Sequence, residues 1–434
     1  MNLLVTNTRN AQAYAIIRAL RPHAEKIVAT MEGEKRLAAR FSHAANSRLV
    51  DKRCYTPSPA KDWRAGRIQK ENTEAEEVYI RALLGLCEKE KIDTIFPSFD
   101  PHVYVFSKNK EKFEKIGVLI PVPDFEIVLT LLDKYRTIRA AQEMCFPCPK
   151  TYLPQDEQDL PWIAERLGFP VVIKPRFGAG GRGATLVKNF TELSEKTHGT
   201  LRIHHQLMIQ EYIPGNLKTQ CYIALDKNRE LKLALYVATL RNTLRETANL
   251  STVAESLAPE DILCHAKMLL ETLGWWGSAT VQLKIDSRSD VPKLMEINPR
   301  PGIRLWQRTA LGFNEPLICL EIARGQTMTA MPKYPPRILL IEPIEDFLGL
   351  GLKCLDLAIY GLRVSILAKS PSDPDNPPMG FLELVRAYKK TYFNGRKKLY
   401  NHYFTFFFHD PIVSLLWWMQ FFALALRNVK QLGR

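Results

Sequence analysis

The stretch 282–304 constrains the fold of this chain more than any other part of the sequence. Two apolar runs, residues 279–285 and 291–297, flank a polar tract at 286–290. Short apolar runs separated by a polar tract predict two antiparallel strands joined by a turn. Such a hairpin determines which side chains share a face. The types of these side chains then indicate which ligand the face could bind.

Polar side chains occupy one face of each predicted strand. Because successive side chains of a strand point to opposite faces, Gln282 shares a face with Lys284, and Glu296 shares one with Asn298. Gln, Glu and Asn supply oxygen ligands only, which Mg²⁺ accepts together with water and nucleotide phosphates. We therefore predict that Gln282, Glu296 and Asn298 bind a metal ion. The alternative is an ordinary hairpin with a solvated polar edge.

Positive charge is concentrated after the hairpin and across the whole chain. Arg300 and Arg304 follow the second strand, where their guanidinium groups could handle phosphoryl charge. The formal net charge is +14 and the pI is near 9.3, which predicts an anionic partner such as a nucleotide, nucleic acid or lipid surface. Nucleic acid is not expected, because no recognition module accompanies the basic residues.

The length of 434 residues predicts two to four domains, and a hydrophobic content of 46% is sufficient for real cores. The start of the chain lacks the pattern of a secretory signal, so we expect a cytoplasmic protein with reduced cysteines. Cys145 and Cys148 form a CxxC, but no second CxxC or His pair accompanies them. A structural role is therefore favoured over zinc or redox chemistry.

The first part of the chain predicts a small parallel α/β domain, with strands at 2–6, 26–30, 93–97 and 117–121 and helices at 11–20 and 74–89. It has no GxGxxG, so a dinucleotide is not expected there. Asn7, Thr8 and Arg9 follow the first strand, where an open α/β sheet presents ligand groups. They could equally cap the following helix.

A glycine-rich loop follows a second group of predicted elements. A helix opens at Asp133 and Lys134, another covers 160–167, and the strands 171–174 and 184–187 enclose the loop 178–183. Glycines between antiparallel strands allow the backbone to approach phosphates closely and donate N–H groups to them. The loop is not a Walker loop, since no Gly-Lys-Ser/Thr opens a helix.

The order of the motifs DK, FPCPKT, GFPVVIKP, GAGGRG, IQEYIPG and VQ to MEINPR resembles the ATP-grasp enzymes. The resemblance is strongest to the carboxylate-amine ligases that are similar to carbamoyl phosphate synthetase, and it covers residues 1–327. It implies an α/β fold with a pre-ATP-grasp domain at 1–124 and an ATP-grasp domain at 125–327, whose two subdomains meet at a hinge near 206–215. A mainly helical extension with basic and apolar helices is expected at 328–434.

The same resemblance implies the site residues and the cofactors, ATP and Mg²⁺ or Mn²⁺. Lys134 and Lys174 would hold the phosphates, and Arg300 and Lys174 would be catalytic, with Gln282, Glu296 and Asn298 as metal ligands. The remaining residues implied to bind the nucleotide are those of the loop that covers the phosphates and of the hinge that meets the adenine: Gly178, Ala179, Gly180, Gly181, Arg182, Gly183, Glu211, Tyr212 and Ile213.

The sequence departs from the family pattern in two places. Many relatives have an acidic residue for ribose shortly after the hinge glycine, whereas this chain has Lys218 or Thr219 near that place. The segment 241–256 lacks the expected glycine-containing substrate loop. Its basic residues and a later arginine are candidates to bind a substrate carboxylate, with a solvated basic edge as the alternative: Arg241, Arg245 and Arg304.

The last part of the chain joins a basic run to an apolar run. Residues 386–398 contain six basic residues and no acid, and residues 411–426 contain only Ser414 and Gln420 as polar side chains. This pair of features suits a peripheral anchor on the inner, anionic face of a cell membrane. Sixteen residues are too few to span a bilayer, which takes roughly 20. The alternative is packing against the enzyme itself or in a homodimer.

These observations predict a ligase that uses ATP and Mg²⁺ to activate a small carboxylate as an acylphosphate and joins it to an amine. One alternative is an enzyme that forms carboxyphosphate or carbamate, as one half of carbamoyl phosphate synthetase does. Another is a regulatory nucleotide-binding protein with a degenerate site, suggested by the unusual segment 241–256.

Overall fold

The computed structural model describes residues 1–33, 42–59, 63, 68–178, 183–201, 206–242, 251–258, 261–302, 304–326, 336–342, 346, 350, 381–393, 395, 397–400, 410–413 and 415. Within these residues the chain forms a parallel α/β domain, a small antiparallel sheet and a larger, mostly antiparallel sheet. The mixed α/β fold expected from the sequence is confirmed.

The N-terminal domain is a parallel sheet in the strand order β3-β2-β1-β4. Its core is apolar and fully buried at Leu3, Leu4 and Val5. Asn10 caps the first helix, and a capping box of Thr73 and Glu76 opens the second. The elements are β1 (Asn2–Val5), α1 (Ala11–Leu20), β2 (Lys26–Glu32), β3 (Lys52–Thr56), α2 (Glu74–Glu90), β4 (Thr94–Phe96), α3 (Asp100–Lys108) and α4 (Lys110–Glu114).

The prediction of a strand at 117–121 is wrong, because this segment forms only one isolated bridge, between Leu119 and Thr94. Strand β3, which pairs with β2, was not predicted. The pattern of this exposed edge strand is weak, because only Thr56 of its five residues is buried.

The carboxyl edge of the N-terminal sheet is filled by its own side chains. Asn7 has a φ of 51° and donates its backbone N–H to Glu32 over 3.0 Å, and the Thr8 hydroxyl donates to the Thr30 carbonyl. Both carboxylate oxygens of Glu32 bond to His102, at 2.9 and 2.8 Å. The helix is capped by Asn10 rather than by residues 7–9.

The small sheet has the antiparallel order β5-β8-β6-β7 and packs its own core against α7 and α8. Asp133 caps α6, so that Lys134 begins the helix. The elements are α5 (Phe125–Leu132), α6 (Lys134–Glu143), β5 (Thr151–Tyr152), α7 (Leu160–Leu167), β6 (Val171–Pro175), β7 (Thr185–Val187), α8 (Phe190–Leu201) and β8 (Leu207–Glu211).

The large sheet has the order β13-β12-β9-β10-β11-β14-β15. Its strands are antiparallel except for the last pair, β14 and β15. The elements are β9 (Lys218–Leu225), β10 (Leu231–Asn242), β11 (Ser251–Leu257), α9 (Asp261–Thr272), β12 (Gly277–Asp286), β13 (Val291–Asn298), α10 (Leu305–Ala310), α11 (Glu315–Ala323), β14 (Leu339–Ile341), α12 (Phe381–Tyr392) and β15 (Lys398–Tyr400).

The C-terminal segment packs on both neighbouring domains. Its strands β14 and β15 extend the large sheet, while Val413 is buried in the core of the N-terminal domain. Asp410 accepts a hydrogen bond from the Ser47 hydroxyl over 2.5 Å. The helix expected at 347–368 and most of the apolar run 411–426 lie outside the described residues.

No helix within the described residues is long and apolar enough to cross a bilayer. The cysteines in this part of the chain are free thiols, including Cys145 and Cys148. Burial raises the pKa of the Cys148 thiol to about 11, which leaves it protonated and unreactive at neutral pH.

Candidate functional site

One face of the large sheet collects polar side chains from three adjacent strands. Gln282 of β12 lies opposite Gln220 of β9 on one side and opposite Glu296 of β13 on the other. The neighbouring row along the strands consists of Tyr222, Thr280 and Asn298. The opposite face of the same strands belongs to the hydrophobic core, through residues such as Val281 and Ile297. The register therefore brings the three predicted metal ligands together on one face.

A β-bulge at Met295 makes this arrangement possible. Gln282 pairs with Glu296, but the next residue, Leu283, pairs with Leu294, so that Met295 is an additional residue in β13. Leu294 therefore enters the core while Glu296 points to the polar face. The carbonyl of Met295 accepts a hydrogen bond from Lys174 Nζ over 3.4 Å.

Lys134 and Lys174 come from the small sheet and its adjoining helix and meet the polar face. Lys134 Nζ donates to the Gly178 carbonyl over 2.5 Å and lies 3.6 Å from Glu296 Oε2. Lys174, on β6, is only 9% exposed. The site therefore lies between the two sheets, and both predicted phosphate-binding lysines reach it.

The lysines around Glu296 are poorly neutralised. Burial, followed by the charge of Lys134, lowers the pKa of Lys174 from 10.5 to about 8. Burial also lowers the pKa of Lys218, which Glu296 partly opposes. Because ammonium groups out of water are costly without a counter-charge, this region favours an anionic ligand.

The glycine loop starts beside Lys134, which donates to the Gly178 carbonyl. Gly178 and Gly183 have φ values of 131° and 79°, a region that side-chain-bearing residues rarely adopt. Ala179, Gly180, Gly181 and Arg182 lie outside the described residues.

The hinge residues contact the tip of the β12–β13 hairpin. The Glu211 carboxylate pairs with Arg288 over 2.6 Å and accepts from the backbone N–H of Lys150 over 3.2 Å. Lys284 Nζ donates to the Ile213 carbonyl over 2.5 Å and lies over the ring of Tyr212. The structure thus places 211–213 next to the polar face, with the Glu211 carboxylate already held by Arg288.

Arg300 joins the site to the N-terminal domain. Its Nε and Nη2 atoms donate to the Asp100 carboxylate over 2.6 and 3.1 Å, and Nη2 also lies 3.3 Å from Asn298 Oδ1. Asp100 is the first residue of α3, so the N-terminal domain supplies a carboxylate beside the predicted metal ligands.

The arginines predicted to bind a substrate carboxylate are bonded within the protein. Arg241 makes a two-pronged pair with Asp346, over 2.7 and 2.6 Å. Arg304 donates to the Ser251 carbonyl over 2.6 Å and to the Leu340 carbonyl over 3.1 Å. Arg245 lies outside the described residues. In this structure Arg241 and Arg304 are thus bonded to Asp346 and to residues of β11 and β14, rather than facing an open site.

Two further residues support the site and were not predicted, Gln220 and Arg308. Gln220 lies on β9, where alternation from Lys218 places it on the polar face. Arg308 is fully buried, bonds to Glu315 and lies over the ring of Tyr222 at 4.0 Å. Its partner cannot be read from sequence, because a buried arginine in a short helix has no distinctive pattern.

The donor set fits a hard cation. No group of three or more His, Cys, Asp or Glu side chains forms a metal site among the described residues. The aligned oxygens belong instead to one carboxylate and two amides, those of Glu296, Gln282 and Asn298. Beside them, the buried Thr280 hydroxyl has no hydrogen-bond partner among the residues that the structure describes. Oxygen donors of this kind suit Mg²⁺ with water and phosphate as further ligands.

Family models agree with this geometry. Residues 131–303 match the ATP-grasp domain, and residues 68–121 match the PylC-like N-terminal domain. In this chain, a match to the PylC-like N-terminal domain is thus followed by a match to the ATP-grasp domain. The chain contains an ATP-grasp domain, as its resemblance predicted.

Among known proteins, the chain is 24% identical over 246 residues to the arginine-specific carbamoyl phosphate synthase large chain of Geobacillus stearothermophilus, covering 54% of this chain and 24% of that protein. It is 23% identical over 270 residues to the carbamoyl phosphate synthase large chain of Xylella fastidiosa, covering 58% and 25%. The chain thus spans about a quarter of the length of these curated relatives.

Two solved structures share the fold. One is the biotin carboxylase domain dimer of Hydrogenobacter thermophilus 2-oxoglutarate carboxylase with MgADP, ADP and bicarbonate, with a TM-score of 0.60, 16% identity and coverage of 78% of this chain and 73% of that one. The other is Staphylococcus aureus N5-carboxyaminoimidazole synthetase with ADP, with a TM-score of 0.58, 15% identity and coverage of 77% and 79%.

Proposed function

We propose that the protein is an ATP- and Mg²⁺-dependent ligase that activates a small carboxylate as an acylphosphate and joins it to an amine. The observation that carries this proposal is the row of Gln220, Gln282 and Glu296. Lys134 and Lys174 approach this row from the small sheet and its adjoining helix. The oxygen atoms of this row suit a metal ion, and the partly neutralised lysines suit the phosphates of a nucleoside triphosphate.

Gln282, Glu296 and Asn298 would hold Mg²⁺, which supplies charge neutralisation at the phosphates. Lys134 and Lys174 would bind the transferred phosphoryl group as point charges. Arg300, held by Asp100, would lie at the end of the row where the second substrate enters. These groups are fixed before the reaction, and such preorganised charges stabilise a phosphoryl transfer.

In the proposed reaction, a carboxylate oxygen attacks the γ-phosphorus of ATP, the bond to the β–γ bridging oxygen breaks, and ADP leaves. The amine nitrogen then attacks the acyl carbon, the carbon–oxygen bond to phosphate breaks, and the amine loses a proton. The residues of the chain would position the reactants and exclude water rather than form a covalent bond.

The test is to measure phosphate release from ATP with and without Mg²⁺ while amino acids and other small carboxylates are supplied. Hydroxylamine added to the reaction should trap an acylphosphate as a hydroxamate. Metabolite extract with ATP should then yield a ligated mass that identifies the carboxylate and the amine. ATP binding without Mg²⁺-dependent phosphate release under any condition would contradict the proposal and favour a regulatory nucleotide-binding protein.

A second candidate is an enzyme that phosphorylates bicarbonate to carboxyphosphate. It is favoured by the carbamoyl phosphate synthase relatives and by the bicarbonate named in the biotin carboxylase domain complex. Phosphate release that bicarbonate stimulates, in the absence of any amino acid, would select it over the amide-forming ligase.

For the C-terminal segment we propose a peripheral contact with an anionic membrane surface. Ile412 and Leu415 are 52% and 54% exposed, whereas Val413 between them is buried on the N-terminal domain. One edge of this apolar segment is therefore available, next to the basic run. Full-length protein should pellet with anionic liposomes, and Ile412→Asp/Leu415→Asp should not. Light scattering would detect a homodimer through the same edge instead.

A further inference from the structure

Lys218 is a cation on the polar face that nothing so far accounts for. It is the first residue of β9 and lies opposite Lys284 on β12 and Thr239 on β10. Lys284 uses its ammonium group on the Ile213 carbonyl. The side chain of Lys218 has neither a hydrogen bond nor an ion pair with any residue that the structure describes. Its ammonium group therefore has no direct partner within this part of the protein, and the charge of Glu296 offsets its burial only in part.

The place of Lys218 along β9 is informative. On one side lies the hinge carbonyl of Ile213, which Lys284 binds. On the other side lies the row of Gln220, Gln282 and Glu296, two residues further along the strand, or about 7 Å away. Lys218 thus lies between the hinge and the row that would hold the metal ion and the terminal phosphates.

A nucleotide that reaches from the hinge to this row must pass Lys218 with its sugar and its first phosphate. An ammonium group has three donors and no acceptor, so it cannot accept hydrogen bonds from sugar hydroxyls. A phosphate oxygen is its strongest partner, because a charge-assisted hydrogen bond forms and the partly buried charge is neutralised.

Resting on the proposed function, we propose that Lys218 binds the nucleotide phosphate nearest the sugar and thereby makes binding depend on that phosphate rather than on the ribose hydroxyls. ADP and ATP share this phosphate, so Lys218 increases the affinity for both by the same factor. Adenosine lacks the phosphate, so Lys218 does not increase its affinity. A nucleotide without its 2′-hydroxyl, 2′-deoxy-ATP, binds almost as well as ATP.

The experiment is calorimetric binding of adenosine, ADP, ATP and 2′-deoxy-ATP to the full chain. Lys218→Met, which keeps the side-chain stem, should weaken ADP and ATP by the same factor, about tenfold or more, with no change for adenosine. Lys218→Glu should weaken both further and raise the preference for ATP over 2′-deoxy-ATP. Lys232→Met is the matched control on β10, where the lysine is paired with Asp226, and its nucleotide binding should equal that of wild type.

Equal nucleotide affinity in wild type and Lys218→Met, with both proteins folded by circular dichroism, would overturn the proposal. A wild-type preference of more than tenfold for ATP over 2′-deoxy-ATP that survives in Lys218→Met would also overturn it. If wild-type protein binds neither ADP nor ATP, the proposed function fails together with this inference. Binding of ATP that ignores Lys218 removes only the inference.

Discussion

Buried arginines and buried lysines both lie around the β12–β13 hairpin, but their surroundings differ. Arg241, Arg300 and Arg308 each bond to a carboxylate of the chain, Asp346, Asp100 and Glu315. Lys174 bonds only to a backbone carbonyl at 3.4 Å among the described residues, and Lys218 to none of them. A cation that is already neutralised holds the fold together, whereas one without a counter-charge favours the arrival of an anion.

The largest expected effect tests the arginine side of this comparison. Arg308→Met would leave Glu315 buried without its cation, and breaking a buried pair in this way costs about 3–5 kcal/mol of the free energy of unfolding. Urea unfolding followed by fluorescence measures the loss. The double variant Arg308→Met/Glu315→Gln should recover much of it, because the unpaired charge is then gone. A loss below about 1 kcal/mol for the single variant would contradict the structural role of this pair.

Glu296→Gln tests the only carboxylate among the predicted metal ligands. The change keeps the side-chain shape but removes the negative charge, so ATP turnover should fall by about 10²–10³-fold, or roughly 3–4 kcal/mol of transition-state stabilisation. The variant should still fold, although Lys134, Lys174 and Lys218 lose part of their counter-charge. Glu126→Gln, at a carboxylate whose side chain is 67% exposed, is the matched control for ATP turnover. Wild-type turnover in Glu296→Gln would remove the metal assignment.

Asp100→Asn tests the contact between Arg300 and the N-terminal domain. Arg300 would keep one acceptor but lose its counter-charge, which should cost about 1–3 kcal/mol of stability. Thermal unfolding measures this loss, and Asp124→Asn, whose side chain is 81% exposed, should show none. Identical unfolding of Asp100→Asn and wild type would mean that the pair does not hold the domains together.

The last prediction about stability concerns Lys174 and pH. Its pKa of about 8 in the folded protein lies below the ordinary value of 10.5, so between these pH values the unfolded chain holds a proton that the folded protein has released. Stability should therefore rise with pH through this window, by at most about 1.4 kcal/mol per pH unit. Lys174→Met should remove the rise and, because it removes a buried ammonium group that lacks a counter-charge, should be more stable than wild type at pH 7.

Added ATP sharpens this last test, because a bound phosphate stabilises the ammonium form. ATP affinity of wild type should accordingly weaken above about pH 8. In Lys174→Arg it should stay constant, since arginine remains charged. An unchanged affinity of wild type up to pH 10 would show that Lys174 does not contact the nucleotide.

The sequence predicted local elements and faces well where the pattern was strong. The helix at 11–20 begins and ends as predicted, and the hairpin that places Glu296 and Asn298 on one face is confirmed. The strand at 117–121 failed because a short apolar run that crosses beside a sheet has the same pattern as a paired strand.

Long-range pairs could not be predicted. Asp100 is 200 residues from Arg300, and Asp346 is 105 residues from Arg241, so no local spacing indicates that their charges meet. The arginines therefore looked available for phosphate and substrate, although their partners were elsewhere in the same chain. The departure at Lys218 or Thr219 could be seen from the sequence alone, because the resemblance implies an acidic residue near that place.

The bulge at Met295 affects two features of the site differently: the alignment of the metal ligands and the hydrogen bond to Lys174. Deleting this residue would restore regular alternation, with Leu294 in the core and Glu296 still opposite Gln282. The same deletion would remove the carbonyl that accepts from Lys174. Homologous chains that are one residue shorter at this point could keep the metal ligands and leave the buried lysine without its backbone anchor. The additional residue in β13 is thus needed for the contact with Lys174 and not for the alignment of the metal ligands.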